Sequence, residues 1–352
     1  MENFAFLIHP RVIEDIGRRL GQVLRIGENF GMKILPKKTS ESIIKKLKGR
    51  QGFTLCSKFQ VNEETTGYII AVLLTAEQMV TLPRKIVYKR ILDAVLFAQN
   101  QLNATRIGLG AYIAPLTLNG RLLIKDSTIT AKITHGDSLS AASAIPAIIK
   151  SAELKNIDLC QTTIAVVGAY GVVGRGVALM LPDLLDPLEI ILTGPNFNKL
   201  SFVKKEIRRK YKNSIVCSRD NSIIKDADIV VLCTTAQGSI VDENMLKKDA
   251  IVIDMAQPHN MGEETCDARP DVLRVDGGFI DIKGVDINFN MGTSAGSAFA
   301  CFTETMVLSL IRDQDHHVDV VDLEFAKYIL SKSSELGFTM APLTNFSKPI
   351  TV

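Results

Sequence analysis

The stretch TTIAVVGAYGVVGRGVALML, residues 162–181, constrains the fold more than any other part of the chain. A short run rich in threonine, isoleucine and valine leads into three glycines, Gly168, Gly171 and Gly174, spaced as GxxGxxG, and these lead into an apolar helical run. That order predicts a strand, a tight turn and a helix. Glycine permits the turn and a close approach of a pyrophosphate, while the helix start offers N–H groups to the phosphates. Three more β-branched runs follow, LEIILTG, ADIVVLCTT and AIVIDMAQP, with helical or turn sequence between them. Strands alternating with helices predict parallel βαβ units, and so an α/β chain built on a Rossmann-type doubly wound parallel sheet.

The chain has 352 residues, 46% hydrophobic and 22% charged, which suits two folded domains. In the N-terminal third FAFLI and YIIAVLL read as strands, RKIVYKRILDAVLFAQNQL as an amphipathic helix and TRIGLGAYIAPL as a further strand. SLSAASAIPAIIKSAELK reads as a helix started or interrupted by Pro146. The predicted layout is an α/β substrate domain over 1–137, a connecting helix over 138–160, the dinucleotide-binding domain over 161–292, and a C-terminal helical segment over 293–352.

The start, MENFAFLIHP, carries an acid where a secretion signal needs positive charge, and the apolar run YIIAVLLTA is about half a membrane span. A cytoplasmic protein with no transmembrane segment is expected. Cys56, Cys160, Cys217, Cys233, Cys266 and Cys301 are scattered without a CxxC pair, and the adjacent His316 and His317 make a poor metal pair. Reduced thiols and no bound metal follow. The basic runs at 37–50, 83–90 and 204–212 read singly as solvated helix faces; together they suit an acidic partner, whether a carrier protein, an RNA or a phosphorylated cofactor.

The cofactor contacts expected from the glycine turn are Gly168, Ala169, Tyr170, Gly171, Val172, Val173 and Gly174, with Thr234 and Ala256 at the ends of later strands. An NAD site places an acid at the end of the second strand, but LEIILTG carries its only acid, Glu189, near its beginning. Thr193, Asn196 and Lys199 follow instead and would accommodate a 2′-phosphate. NADPH is therefore the expected cofactor.

Cys301 lies near the front of a second apolar helix, in SAGSAFACFTETMVLSLI. It reads either as a small hydrophobe in a core or as a thiolate nucleophile at the positive end of a helix. Glu304 is three residues on and shares its face. His259 follows the strand AIVIDMAQP, where ligands meet such sheets, and reads either as an acid or as a plain loop histidine. His9 and His135 are weaker candidates. Gly136, Asp137 and Ser138 mark a polar segment in the substrate region.

With these motifs in place, the chain resembles the long-chain acyl-[acyl-carrier-protein] reductases of cyanobacteria over nearly its whole length. The likeness runs through FAFLIHP, ILDAVLFAQ, NIDLCQTTIAVVGAYG, IDMAQPHNMG, Gly277 with Gly278, FACFTETMVL and ELGFTMAPL. It implies NADPH-dependent reduction of a fatty acyl thioester, on acyl carrier protein or coenzyme A, to an aldehyde, with an aldehyde-consuming enzyme downstream. It implies that Cys301, in the family's FACFAE position, accepts the acyl group. Backbone N–H groups near Gly136 to Ser138, or the polar groups of AQPHN, would then hold the oxyanion. Two family residues differ: a histidine is Leu139 here and a tyrosine is Ala142, and the family's arginine-rich turn after the cofactor strand is missing. Two alternatives stand beside this reading. One is reduction of an aminoacyl ester on tRNA, for which the N-terminal domain offers Cys56 alone and no RNA-binding motif, so no nucleic acid is expected. The other is a nucleotide-binding sensor or scaffold without catalysis.

Overall fold

A computed structural model describes residues 1–10, 52–236 and 238–350. The basic run at 37–50 lies outside the described residues. The chain divides into two compact units, Met1–Gly136 with Val285–Phe289 and Leu308–Asp319, and Asp137–Gly284 with Asn290–Val307 and Val320–Val352. The segment expected as a connector thus lies in the second unit, and the C-terminal segment is shared between the two.

The first unit is a five-stranded sheet in the order β2-β3-β1-β4-β5, formed by β1 (Glu2–Ile8), β2 (Phe53–Asn62), β3 (Thr65–Val72), β4 (Arg106–Leu109) and β5 (Lys132–Thr134). β1 runs parallel to β3 and β4, and β2 is an antiparallel edge. Helix α1 (Arg84–Gln101) buries Val87, Ile91, Ala94, Val95 and Ala98, the helical stripe that the sequence spacing predicts. The strand expected over TRIGLGAYIAPL stops at Leu109. Gly110 still donates its N–H to the Leu7 carbonyl at 2.8 Å, but Ala111 takes a φ of +48°, which turns the chain out of the sheet and into a short helix, Ile113–Leu116. The buried Arg106 donates to the Asp313 carboxylate at 2.9 Å, tying residues 308–319 into this unit.

The second unit is a six-stranded, wholly parallel sheet of β6 (Thr163–Val167), β7 (Glu189–Thr193), β8 (Ser214–Ser218), β9 (Ile229–Leu232), β10 (Ile251–Asp254) and β11 (Leu273–Asp276). Their order is β11-β10-β9-β6-β7-β8, that of a doubly wound dinucleotide fold, with the chain reversing direction across the sheet between β6 and β9. Buried side chains pack on both faces of the sheet, so β9 and β10 are buried at every residue rather than at alternate ones.

Helix α2 (Asp137–Lys155) packs against α3 (Val172–Leu184) and α6 (Leu323–Glu335), which follow α2 along the chain with α4 (Phe197–Ile207) and α5 (Ala300–Leu310) between them. The alanine-rich face of α2 has a reason in this contact: a Cβ on Gly176 of α3 would lie 2.8 Å from the Ala141 Cβ. Pro146 sits inside α2 without ending it. Beyond β11, the short strands β12 (Phe279–Asp281), β13 (Ser297–Phe299) and β14 (Thr339–Met340) form an antiparallel sheet in the order β13-β12-β14. β15 (Thr344–Asn345) and β16 (Lys348–Pro349) form a terminal hairpin.

Candidate active site

The carboxyl ends of β6 and β9 flank the switch point of the parallel sheet, where such folds bind their ligands. Gly168 follows β6 directly and has a φ of +81°; a Cβ there would lie 2.7 Å from the Cys233 carbonyl oxygen. A Cβ on Gly174 would lie 2.3 Å from the Gly168 carbonyl oxygen. Both positions require glycine for close backbone approach. Gly171 caps α3, and the first-turn N–H groups of Val172, Val173 and Gly174 have no acceptor within the helix. This is a cradle that a side chain would fill, opening on an array of N–H donors, and it fits the pyrophosphate of a dinucleotide.

Thr193 contributes through its backbone. Its carbonyl accepts from Gly168 N–H at 3.0 Å and Ala169 N–H at 3.1 Å, while its buried hydroxyl donates to Asn221 Oδ1 at 2.8 Å. The Asn196 side chain caps α4 by accepting from Lys199 N–H at 3.1 Å. Tyr170 lies over Gly194, where a Cβ would come within 2.8 Å of its ring, and Lys199 Nζ stands 5.3 Å from the centre of that ring. β7 is therefore followed by Gly194 against the Tyr170 ring, with Lys199 beside that ring and no acid in residues 193–199. Thr234 Oγ1 bonds Asn260 Oδ1 at 2.5 Å and accepts Ala236 N–H at 3.1 Å, and the buried Ala256 donates its N–H to Asp254 Oδ1 at 3.2 Å. Both residues shape the loops on the same edge of the sheet.

That edge also holds a charged cluster the sequence reading missed. Asp254 ends β10, Asp276 ends β11, and Arg274 lies within β11, all buried. Arg274 donates to Asp254 at 3.0 Å and to Asp276 at 2.7 Å. Asp254 Oδ2 also accepts the N–H groups of Asn260 and Met261, and Asp276 accepts Thr344 Oγ1 and the N–H groups of Phe346 and Ser347 from the terminal hairpin. His259 belongs to this group: its Nδ1 is 3.9 Å from Asp254 Oδ2, and its ring meets Phe346 edge-on at 5.2 Å. An arginine and an aspartate within the apolar run LRVD were the available signal, because charges inside a buried strand must be paired.

Cys301 is the second residue of α5. The Ala300 N–H donates to the Gly278 carbonyl at 2.8 Å, which fixes the helix start just beyond the carboxyl end of β11. One turn along, the buried Glu304 accepts the Leu139 N–H on Oε2 at 2.7 Å and so caps the first turn of α2. Asp137 is the first residue of α2, followed by the buried Ser138. The structure therefore assembles Asp137, Ser138, Cys301 and Glu304 in the second unit, whereas Gly136 closes the first unit with a φ of +77°.

The electrostatics at Cys301 differ from the expectation of a helix-activated thiolate. Burial first, and then the charges of Asp137 and Glu304, push its thiol up to about 12. Backbone N–H groups at the helix start pull the other way and are outweighed. Burial also lifts the Asp137 carboxyl to about 7. Cys217, Cys233 and Cys266 are likewise raised by burial. His9 and His135 lie in the first unit, where His9 Nε2 accepts the Tyr112 N–H at 3.3 Å and His135 donates its backbone N–H to His317. Among the described residues no group of three or more His, Cys, Asp or Glu is arranged to hold a metal ion, and no helix is long and apolar enough to cross a membrane.

Residues 163–277 match the NAD-binding domain of semialdehyde dehydrogenases. The chain thus carries a nicotinamide-dinucleotide-binding domain. A long-chain acyl-[acyl-carrier-protein] reductase from Synechococcus elongatus is 28% identical over 193 residues, 53% of this chain and 54% of that protein. The chain spans about half the length of that relative. Among solved structures, quinate dehydrogenase from Corynebacterium glutamicum is 14% identical, with 77% of this chain and 87% of that one covered and a TM-score of 0.40. The nucleotide-binding domain of glutamyl-tRNA reductase from Thermoplasma volcanium is 22% identical, over 37% of this chain and 84% of that one, with a TM-score of 0.27.

Proposed function

We propose that the protein is an NADPH-dependent reductase of acyl thioesters, carried on acyl carrier protein or coenzyme A, and that it releases an aldehyde in the cytoplasm to a downstream aldehyde-consuming enzyme. One observation carries the reading. Cys301 is fixed through Ala300 and Gly278 at the carboxyl edge of the same parallel sheet whose glycine cradle fits a dinucleotide. A thiol on that edge is where a covalently held acyl group meets a cofactor bound at the switch point.

The Cys301 sulfur attacks the thioester carbonyl, the carrier thiol leaves, and the acyl group rests on Cys301 at nearly the free energy of the substrate. A nicotinamide held there would supply the two electrons, as hydride, that reduce the acyl carbon. The chain's own residues do the rest: Gly168, Gly171 and Gly174 admit the pyrophosphate, Ala169, Tyr170, Val172 and Val173 complete the turn and first helical residues around it, and Thr193, Thr234 and Ala256 hold the flanking loops. Asn196 and Lys199, at a strand exit without an acid, would stand beside a 2′-phosphate, which favours NADPH over NADH. Glu304 positions α2 against α5. Collapse of the hemithioacetal on Cys301 then frees the aldehyde. His259, set by Asp254 and Phe346 on the same sheet edge, is assigned to the cofactor rim as a proton donor.

The test is intact mass measurement of the protein with a long-chain acyl-carrier-protein thioester, without NADPH, beside the Cys301→Ala variant. The expected result is an added acyl mass on the wild type alone, discharged as aldehyde once NADPH is supplied. No adduct with either carrier-protein or coenzyme A thioesters, in protein that still binds NADPH, overturns the reading.

A further inference from the structure

We infer that Arg219, just past the end of β8, grips the cofactor's 2′-phosphate together with Lys199 and so sets the preference for NADPH. This rests on the NADPH reading above and names the arginine that such a phosphate calls for.

The second strand of a dinucleotide fold ends beside the adenosine ribose, where an acid selects NAD and a nearby arginine accommodates the extra phosphate of NADP. Here that strand is β7, and residues 193–199 hold neither an acid nor an arginine. The arginine comes from the neighbouring strand. β7 and β8 run parallel with Thr193 opposite Ser218, the last residue of each. The Gly194 N–H then donates to the Ser218 carbonyl at 3.3 Å, which carries the register one step further and sets Gly194 opposite Arg219.

Residues paired in this way present their Cβ atoms on the same face of the sheet. A Cβ on Gly194 would lie 2.8 Å from the Tyr170 ring, and Lys199 Nζ stands 5.3 Å from the centre of that ring. Arg219 therefore leaves the backbone toward the face that carries Tyr170 and Lys199. Adjacent strands are about 4.8 Å apart, well within an arginine's length of a phosphate seated beside Gly194. The backbone on either side is fixed: Thr193 Oγ1 donates to Asn221 Oδ1 at 2.8 Å, and Ser218 Oγ donates to the Asp220 carbonyl at 2.9 Å and accepts the Asp220 N–H at 3.0 Å.

The guanidinium is exposed and has no ion pair among the described residues. Its neighbour Asp220 is committed elsewhere, because its carboxylate accepts the Ser222 N–H at 2.9 Å and the Ser222 hydroxyl at 2.6 Å. Glu189 begins β7, at the opposite end of the strand, and accepts from Ser214 Oγ at 2.5 Å. Two cations are thus available at the ribose end, Lys199 as a point charge and Arg219 as a planar fork that meets two phosphate oxygens at once. A 2′-hydroxyl gives neither a comparable partner, so their effect falls on NADPH alone.

Titration calorimetry with NADPH and with NADH, on the wild type, Arg219→Gln and Arg219→Lys, tests this by binding rather than turnover. Arg219→Gln is expected to raise the Kd for NADPH roughly 10- to 100-fold and to leave that for NADH within about 2-fold, while Arg219→Lys recovers part of the loss. Unchanged NADPH binding in Arg219→Gln overturns the inference and leaves the NADPH reading standing. An equal loss for both cofactors also overturns it, because Arg219 then serves the fold or the part that the two cofactors share. A wild type that binds both alike has no 2′-phosphate site, and the NADPH reading itself fails along with the role of Arg219.

Discussion

The dinucleotide cradle and the charged edge beside it are built on opposite principles. The cradle consists of what is missing: no Cβ at Gly168 or Gly174, no acceptor within the helix for the N–H groups at the start of α3, no acid at the end of β7. The edge consists of charges forced out of water, with Arg274 between Asp254 and Asp276, and Cys301 beside Asp137 and Glu304. An absence is local and costs little to maintain. A buried charge has a large desolvation cost and needs partners drawn from across the chain.

If that contrast is real, the largest loss of stability comes from the charged edge. Arg274→Met leaves two buried carboxylates facing one another, and it is expected to cost about 3–5 kcal/mol, read as a lower urea midpoint at unchanged slope. A loss under about 1 kcal/mol would mean that the hairpin N–H groups and Thr344 hold Asp276 unaided, and that the guanidinium is incidental.

Asp137 gives a smaller effect with a defined direction. Its carboxyl is raised from the usual value to about 7, so between roughly pH 4 and 7 the folded protein binds more of a proton than the unfolded chain does. Stability therefore falls as pH rises through that window, and the cost is fully present above it. Asp137→Asn removes the cost, so it is expected to stabilise the protein at pH 8 by on the order of 2–4 kcal/mol and to change little at pH 4. Thermal unfolding at the two pH values reads the difference; equal shifts at both would show that Asp137 is not held in a charge-averse site.

The same contrast explains what could be read in advance. GxxGxxG between a β-branched run and an apolar run is a contiguous pattern, and it located β6, α3 and the cradle together. β7, β9 and β10 were legible because they are unbroken apolar runs. β8 and β11 were not: SIVCS and LRVD are short and interrupted by polar or charged residues, and in LRVD those charges are satisfied by partners in β10 and the terminal hairpin. The expected strand at TRIGLGAYIAPL failed at Ala111, where a single left-handed residue, which no periodicity announces, redirects the chain. Cys301 and Glu304 were visible as neighbours on one helix face. Their meeting with α2 depends on a bond between residues 165 positions apart, and the thiol's raised proton affinity comes first from burial, which spacing does not announce.

Gly174→Ala tests the other half of the contrast and has the most confined effect. The added methyl would lie 2.3 Å from the Gly168 carbonyl oxygen, a backbone atom that moves only if the turn moves. Overpacking of this kind costs about 1–3 kcal/mol. Here the displaced atoms belong to the phosphate cradle, so the loss is expected chiefly in dinucleotide affinity, roughly a 10- to 100-fold rise in the Kd for NADPH by titration calorimetry. Alkylation of Cys301 should keep its wild-type rate and pH profile, because the thiol's surroundings come from α2 and α5 rather than from the glycine turn. A variant in which both the affinity and the thiol profile change would show the two regions to be one coupled structure, whereas loss of affinity alone leaves the cradle and the charged edge as separately built parts of one site.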